Sequence, residues 1–286
     1  MVIQLEQAKK RYGIFTLDCS MKLEPGRITG LIGRNGAGKS TAFKLILGLI
    51  RADDGVVTVD GVDAGELDVN IKRKMGVVLA ESGFCGYLKI KDVVKILKAA
   101  YPMFNESDFV SQCEKQGLPM DKKIKEFSTG MKAKLKILAA MSHEAEVLIL
   151  DEPTAGLDVI AREEILDMLR DYMKKEERSI LISSHISTDL EGLCDDVYMI
   201  EDGKIILHEE TDVILDEYGV LKVTEEQYEK LDKNYLLCMK KENFGYTCLT
   251  AQKKFYVENF PEIAIEKAGI DQIITIMISA RRRKDV

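Results

Sequence analysis

A chain of 286 residues, 46% hydrophobic and 31% charged, is long enough for one large α/β domain and a smaller second unit. Its 41 basic and 48 acidic residues leave a net charge of −7, which argues against the basic face that nucleic-acid binding requires. The apolar stretch Ile273 to Ile278 falls far short of the ~20 residues of a membrane span, and Met1 to Glu6 lacks the basic start and apolar core of a signal peptide. Six scattered cysteines without a Cys-x-x-Cys pair suggest neither a zinc site nor a disulfide framework, so reduced thiols in a cytosolic protein are expected.

Two alternating runs, Val2 to Ala8 and Phe15 to Met21, predict antiparallel strands. Arg27 to Ile32 predicts a third strand, and Lys39 to Leu49 an apolar helix. Between them stands Gly33-Arg34-Asn35-Gly36-Ala37-Gly38-Lys39-Ser40, followed by Thr41. This spacing is that of a phosphate-binding P-loop: glycines let backbone N–H groups wrap an anion, and the helix adds its positive end. Lys39 is placed to reach β- and γ-phosphates, and the Ser40 hydroxyl to ligate Mg²⁺.

Val56 to Val59 and Gly76 to Leu79 predict further strands, and residues 84–140 turn helical, with Val93, Val94, Ile96 and Leu97 marking one face. The fully apolar strand Val147 to Leu150 ends in Asp151 and Glu152. In an open α/β sheet that strand end lies beside the P-loop, so Asp151 is placed to hold Mg²⁺ and Glu152 to activate water. A helix over 159–174 and a strand over 179–183 complete an alternation that predicts a mostly parallel sheet with helices on both faces. After residue 208 the pattern changes. Thr224-Glu225-Glu226-Gln227 is a capping box opening a helix, and short β-like runs follow at 235–239, 246–249 and 255–257. A helix is expected over 261–267 and a final strand over 272–278, with Arg281-Arg282-Arg283-Lys284 a solvated tail. The division expected is residues 1–208 for the catalytic unit and 209–286 for a small α+β appendage without a catalytic motif.

Over residues 1–208 the chain resembles the ABC transporter ATPases, and these motifs stand in that family's order. Phe127-Ser128-Thr129-Gly130-Met131 resembles the family signature Leu-Ser-Gly-Gly-Gln, departing at Phe127, Thr129 and Met131. Ala155-Gly156-Leu157-Asp158 resembles the D-loop, His185 the switch histidine that contacts the γ-phosphate, and Tyr12 the aromatic residue that stacks on adenine. Glu81 stands where the family commonly has a glutamine that ligates Mg²⁺. The resemblance implies a P-loop ATPase fold with a mixed sheet core, an antiparallel β subdomain and a helical subdomain. It implies Mg²⁺-dependent ATP hydrolysis by a head-to-tail dimer of identical or paralogous subunits, each ATP lying between one P-loop and the other subunit's signature helix with Ser128, Thr129 and Gly130, and it counts Asp158 of the D-loop among the nucleotide-binding residues. It further implies a separately encoded polytopic permease that holds the ATPase at the inner face of the membrane, most like bacterial ABC-2-type exporters. An importer ATPase would share the same motifs, and an ABC ATPase acting on ribosomes or DNA is the non-transport alternative. The loop with Phe84, Tyr87 and Leu88 is expected to belong to the groove that receives a permease helix.

Overall fold

The computed structural model describes residues 1–281; positions 282–284 of the basic run lie outside them. Strand β1 (Ile3–Tyr12) turns back into β2 (Phe15–Leu23), followed by β3 (Ile28–Ile32), helix α1 (Lys39–Ile46), β4 (Asp54–Val59) and β5 (Val62–Asp63). Helix α2 (Val69–Arg73) leads into β6 (Met75–Val78), and three helices follow: α3 (Ile90–Ala100), α4 (Glu106–Lys115) and α5 (Thr129–Met141). Alternation resumes with β7 (Val147–Asp151), α6 (Val159–Tyr172), β8 (Ser179–Ser184), α7 (Ser187–Glu191) and β9 (Asp196–Glu201), and β10 (Lys204–Glu210) returns. The remaining elements are α8 (Thr211–Glu217), β11 (Gly219–Val223), α9 (Glu225–Lys230), β12 (Leu236–Glu242), β13 (Gly245–Thr250), α10 (Lys253–Asn259), β14 (Ala264–Lys267) and α11 (Ile270–Arg281).

One ten-stranded sheet runs β5-β4-β1-β2-β10-β9-β3-β8-β7-β6. Its half from β9 to β6 is parallel, while β1, β2, β4 and β5 pair antiparallel. The sheet is therefore mixed, and less parallel than strand and helix alternation alone predicts, because β1–β2 and β4–β5 are hairpins closed by short turns and β4 pairs antiparallel with β1. Every residue of β7 is buried, and they alternate between two cores. Val147 and Ile149 face the cluster of α1, β1 and β2, whereas Leu148 and Leu150 face α5 and α6. Burial of an aliphatic side chain of this size contributes about 1.5–3 kcal/mol, so helices on both faces are what a Val-Leu-Ile-Leu strand demands. In α3 the buried stripe is Ile90, Val93, Val94 and Leu97, an i, i+3, i+4, i+7 set. Ile96, expected on that face, falls outside the stripe and is 47% exposed.

Beyond β10, strands β12, β13, β11 and β14 form a second, four-stranded sheet. The Thr224 capping box forms as read, its hydroxyl accepting from Gln227 N. Three other expectations in this region are overturned. Residues 255–257 lie in α10, residues 264–267 of the expected helix form a strand paired with β11, and residues 272–278 lie in α11. This unit has a small core of its own, including Leu221, Val223, Cys248 and Tyr256. It also shares the larger one: Val220, Ile270, Ile273 and Ile276 belong to the buried cluster that contains Leu190 and Val197.

Candidate functional site

The loop 33–38 joins the buried end of β3 to the first turn of α1. Gly38 caps α1 at φ +117°, and a Cβ there would come within 2.9 Å of Leu17 Cδ1, so only glycine fits. Phe15 closes on the same point, its Cζ 3.3 Å from that position, which brings the end of the β1–β2 hairpin, with exposed Tyr12, beside the loop. Buried Ala37 donates its N–H to Arg34 O and accepts from Gly203 N, pinning the loop to the β9–β10 turn. Arg34, Asn35 and Gly36 are exposed at the loop tip, and Thr41 is half-buried in the first turn of α1.

The Lys39 side chain, 6% exposed, donates from Nζ to Gly33 O at 2.7 Å and Arg34 O at 3.4 Å, and stands 3.1 Å from Glu152 Oε1. The Ser40 hydroxyl donates to Asp151 Oδ2 at 2.7 Å. The parallel pairing of β7 with β8 sets Asp151 opposite Ser183, whose hydroxyl donates to Asp151 Oδ1 at 2.7 Å and accepts from Glu152 N at 3.0 Å. Glu152 leaves the strand at φ +52°, a left-handed conformation costly for a residue with a Cβ. That turn aims its carboxylate between two partners, with Oε1 toward Lys39 and Oε2 2.5 Å from His185 Nδ1. The ends of β3, β7 and β8 thus converge lysine, serine, two carboxylates and histidine on one point. A hydroxyl and a carboxylate, Ser40 and Asp151, are hard oxygen donors that fit Mg²⁺, which takes few protein ligands and completes its shell with phosphate and water.

Among the described residues no hydrogen bond joins Ser128 or Asp158 to the P-loop. Ser128 caps α5, accepting from Met131 N at 3.2 Å, and Asp158 caps α6, accepting from Ala161 N at 2.9 Å. Thr129 is exposed in the first turn of α5. The two helix starts touch: a Cβ on Gly130 would lie 2.9 Å from Ala161 Cβ, so glycine allows this approach. Glu81 is exposed just past the end of β6, the strand next to β7, and makes no hydrogen bond to Ser40 or Asp151. Two groups around the site were not singled out from the sequence. One is Ser183, legible only once β7 and β8 are paired. The other is Asp189 of α7, which accepts from Thr154 Oγ1 at 2.7 Å and lies 3.8 Å from Arg162 Nε. A cleft of about 570 Å³ opens beside the P-loop, with Asn35 and His185 on one wall and α11 on the other.

Residues 17–155 match the ABC transporter family. ABC transporter ATP-binding protein NatA of Bacillus subtilis is 30% identical over 241 residues, covering 82% of this chain and 93% of that one. Lantibiotic transport ATP-binding protein SrtF of Streptococcus pyogenes is 35% identical over 215 residues, covering 74% and 92% respectively. A solved ATP binding subunit of an ABC transporter matches with a TM-score of 0.67 at 25% identity, over 75% of this chain and 92% of that one. With its P-loop, strand-end carboxylates and histidine brought to one point, the chain belongs to the ABC transporter family as an ATP-binding and ATP-hydrolysing subunit.

Proposed function

We propose that this ATPase uses Mg²⁺ and powers a separately encoded polytopic permease, in the direction of export, from the inner face of the membrane. The observation that carries the catalytic part is the placement of Glu152 between Lys39 and His185. Lys39 offsets charge on the β- and γ-phosphates of ATP, and the N–H groups of 33–38 cradle them. Water attacks the γ-phosphorus and the bond to the β–γ bridging oxygen breaks, giving ADP and phosphate. Glu152 accepts the water's proton, and His185 orients Glu152 and faces the γ-phosphate. Mg²⁺ held by Ser40, Asp151 and Glu81 would supply neutralisation of phosphate charge. Tyr12, beside the loop, stacks on adenine.

Ser128 and Asp158 cap the touching starts of α5 and α6 and, among the described residues, make no hydrogen bond to Lys39 or Ser40, which supports a reading in which they, with Thr129 and Gly130, complete the site of a second subunit. Two subunits, identical or paralogous, then meet head to tail with ATP between them, and loss of the γ-phosphate releases them. Residues 1–208 form the ATPase unit in this reading, and 209–286 a second unit resting on it. Export is supported by the likeness to a lantibiotic transport protein. Among the described residues no helix is long and apolar enough to cross a membrane. The test is Lys39→Ala: phosphate release by the purified protein should fall at least about a hundredfold, and an unchanged rate would overturn the site.

A further inference from the structure

We infer that in the ATP-bound dimer Val159 and Ile160 of one subunit seat in the cleft between the P-loop and α11 of the other. The C-terminal helix is then part of the ATPase interface. This rests on the head-to-tail dimer proposed above. Val159 and Ile160 open α6 and are 76% and 74% exposed, two adjacent aliphatic side chains left largely uncovered by the described residues. Their position is tied to the signature segment. Gly130 abuts Ala161, and Ser128 and Asp158 cap neighbouring helix starts. Whatever surface Ser128 and Gly130 present to a partner's nucleotide therefore carries Val159 and Ile160 beside it.

The receiving surface lies next to the nucleotide site on the other copy. Ile274 and Ile278 of α11 face Asn35 and His185 across the cleft, with Asp271 and Thr275 also along its wall. The cleft borders Gly33, Arg34 and Asn35 of the P-loop, so a subunit docking on nucleotide held by that loop meets α11 beside it. The helix is a fixed wall. Glu191, the last residue of α7, accepts from Ile270 N at 2.8 Å, and Ile270, Ile273 and Ile276 are buried in the main core. An exposed aliphatic pair and a cleft whose α11 wall offers Ile274 and Ile278, rimmed by the polar Arg34, Asn35 and Asp271, thus lie on the two faces that the dimer brings together, as apolar anchors with a polar rim do in an interface.

The test uses the full chain carrying Glu152→Gln, to slow ATP turnover, and Cys85→Ser, to remove an exposed thiol. Adding Ile160→Cys and Thr275→Cys together should give an intersubunit disulfide that needs ATP and fails with either cysteine alone. In parallel, Ile160→Asp should weaken ATP-dependent dimerisation by about tenfold or more without lowering the Tm, since the side chain is exposed in the monomer. Adding Thr275→Lys to it should recover part of the loss through the new charge pair. A dimer that forms with ATP but gives no cross-link, and tolerates Ile160→Asp, overturns this inference and leaves the dimer intact. A protein that stays monomeric with ATP overturns both.

Discussion

Glu152 has two partners in this fold, Lys39 at 3.1 Å and His185 at 2.5 Å, and its backbone is bent to φ +52° to reach them. Such a geometry is expensive to maintain for stability alone, since a left-handed non-glycine residue costs about 1–3 kcal/mol. In Glu152→Gln the amide keeps the shape but cannot take a proton. Turnover should fall by about a hundredfold or more while ATP stays bound, readable as lost phosphate release with an unchanged Kd for nucleotide. A second residue-scale prediction concerns His143, which is buried and stacks on Tyr101 with ring centroids 3.8 Å apart. Burial holds its pKa below the ordinary 6.5, against the smaller opposing effect of its bond to the Met75 carbonyl. The unfolded chain therefore takes up this proton more readily than the folded one, so its contribution is fully present above pH 6.5 and is lost as pH falls below that value. Denaturation by urea from about pH 7.5 down to about pH 5.5 should show a shallower loss of stability in His143→Gln than in the parent. The P-loop residues, Asp151, Glu152 and His185 were legible because each ends an apolar strand or opens an apolar helix. Ser183 was not, because its role depends on the strand it is paired with.

At the scale of elements, α11 departs furthest from its local sequence. Residues 272–278 hold four isoleucines and one threonine, which favours a strand when only the run itself is weighed. Two tertiary contacts decide otherwise. Glu191 caps the first turn of α11, and its sides are taken up by the main core and by β12 and β13. Short apolar runs carry no period that separates strand from helix, which also accounts for the exchange of helix and strand at 255–257 and 264–267. Ile273 is fully buried in the larger core, so Ile273→Ala should lower stability by about 2–5 kcal/mol in equilibrium denaturation. A cost below about 0.5 kcal/mol would mean that α11 does not pack on the ATPase unit.

For the whole molecule, the remaining question is how ATP turnover reaches a membrane partner. The loop after β6 divides its apolar residues. Phe84 and Leu88 pack against the main core, whereas Tyr87 is 70% exposed with Lys125 Nζ 4.8 Å from its ring. The expectation that all three serve a partner is therefore narrowed to Tyr87, because the fold already uses the other two. Tyr87→Ser should leave the Tm and basal ATPase within about 0.5 kcal/mol and about twofold of the parent, yet reduce co-purification of the permease from solubilised membranes. Full recovery of the permease would take this loop out of the interface.

Spacing along the chain was enough to single out the P-loop and the strand-end carboxylates, whereas Ser128, Asp158 and His185 were singled out through the family resemblance. These features are local: glycines free the backbone, a buried strand must be apolar, and a helix start needs a side-chain acceptor. Only tertiary structure decided that Glu152 stands between Lys39 and His185, that the helix starts capped by Ser128 and Asp158 touch, and that α11 is a helix flanking the P-loop. Each of those depends on which strands and helices become neighbours, and that is settled by packing two cores across one mixed sheet rather than by any single stretch of sequence.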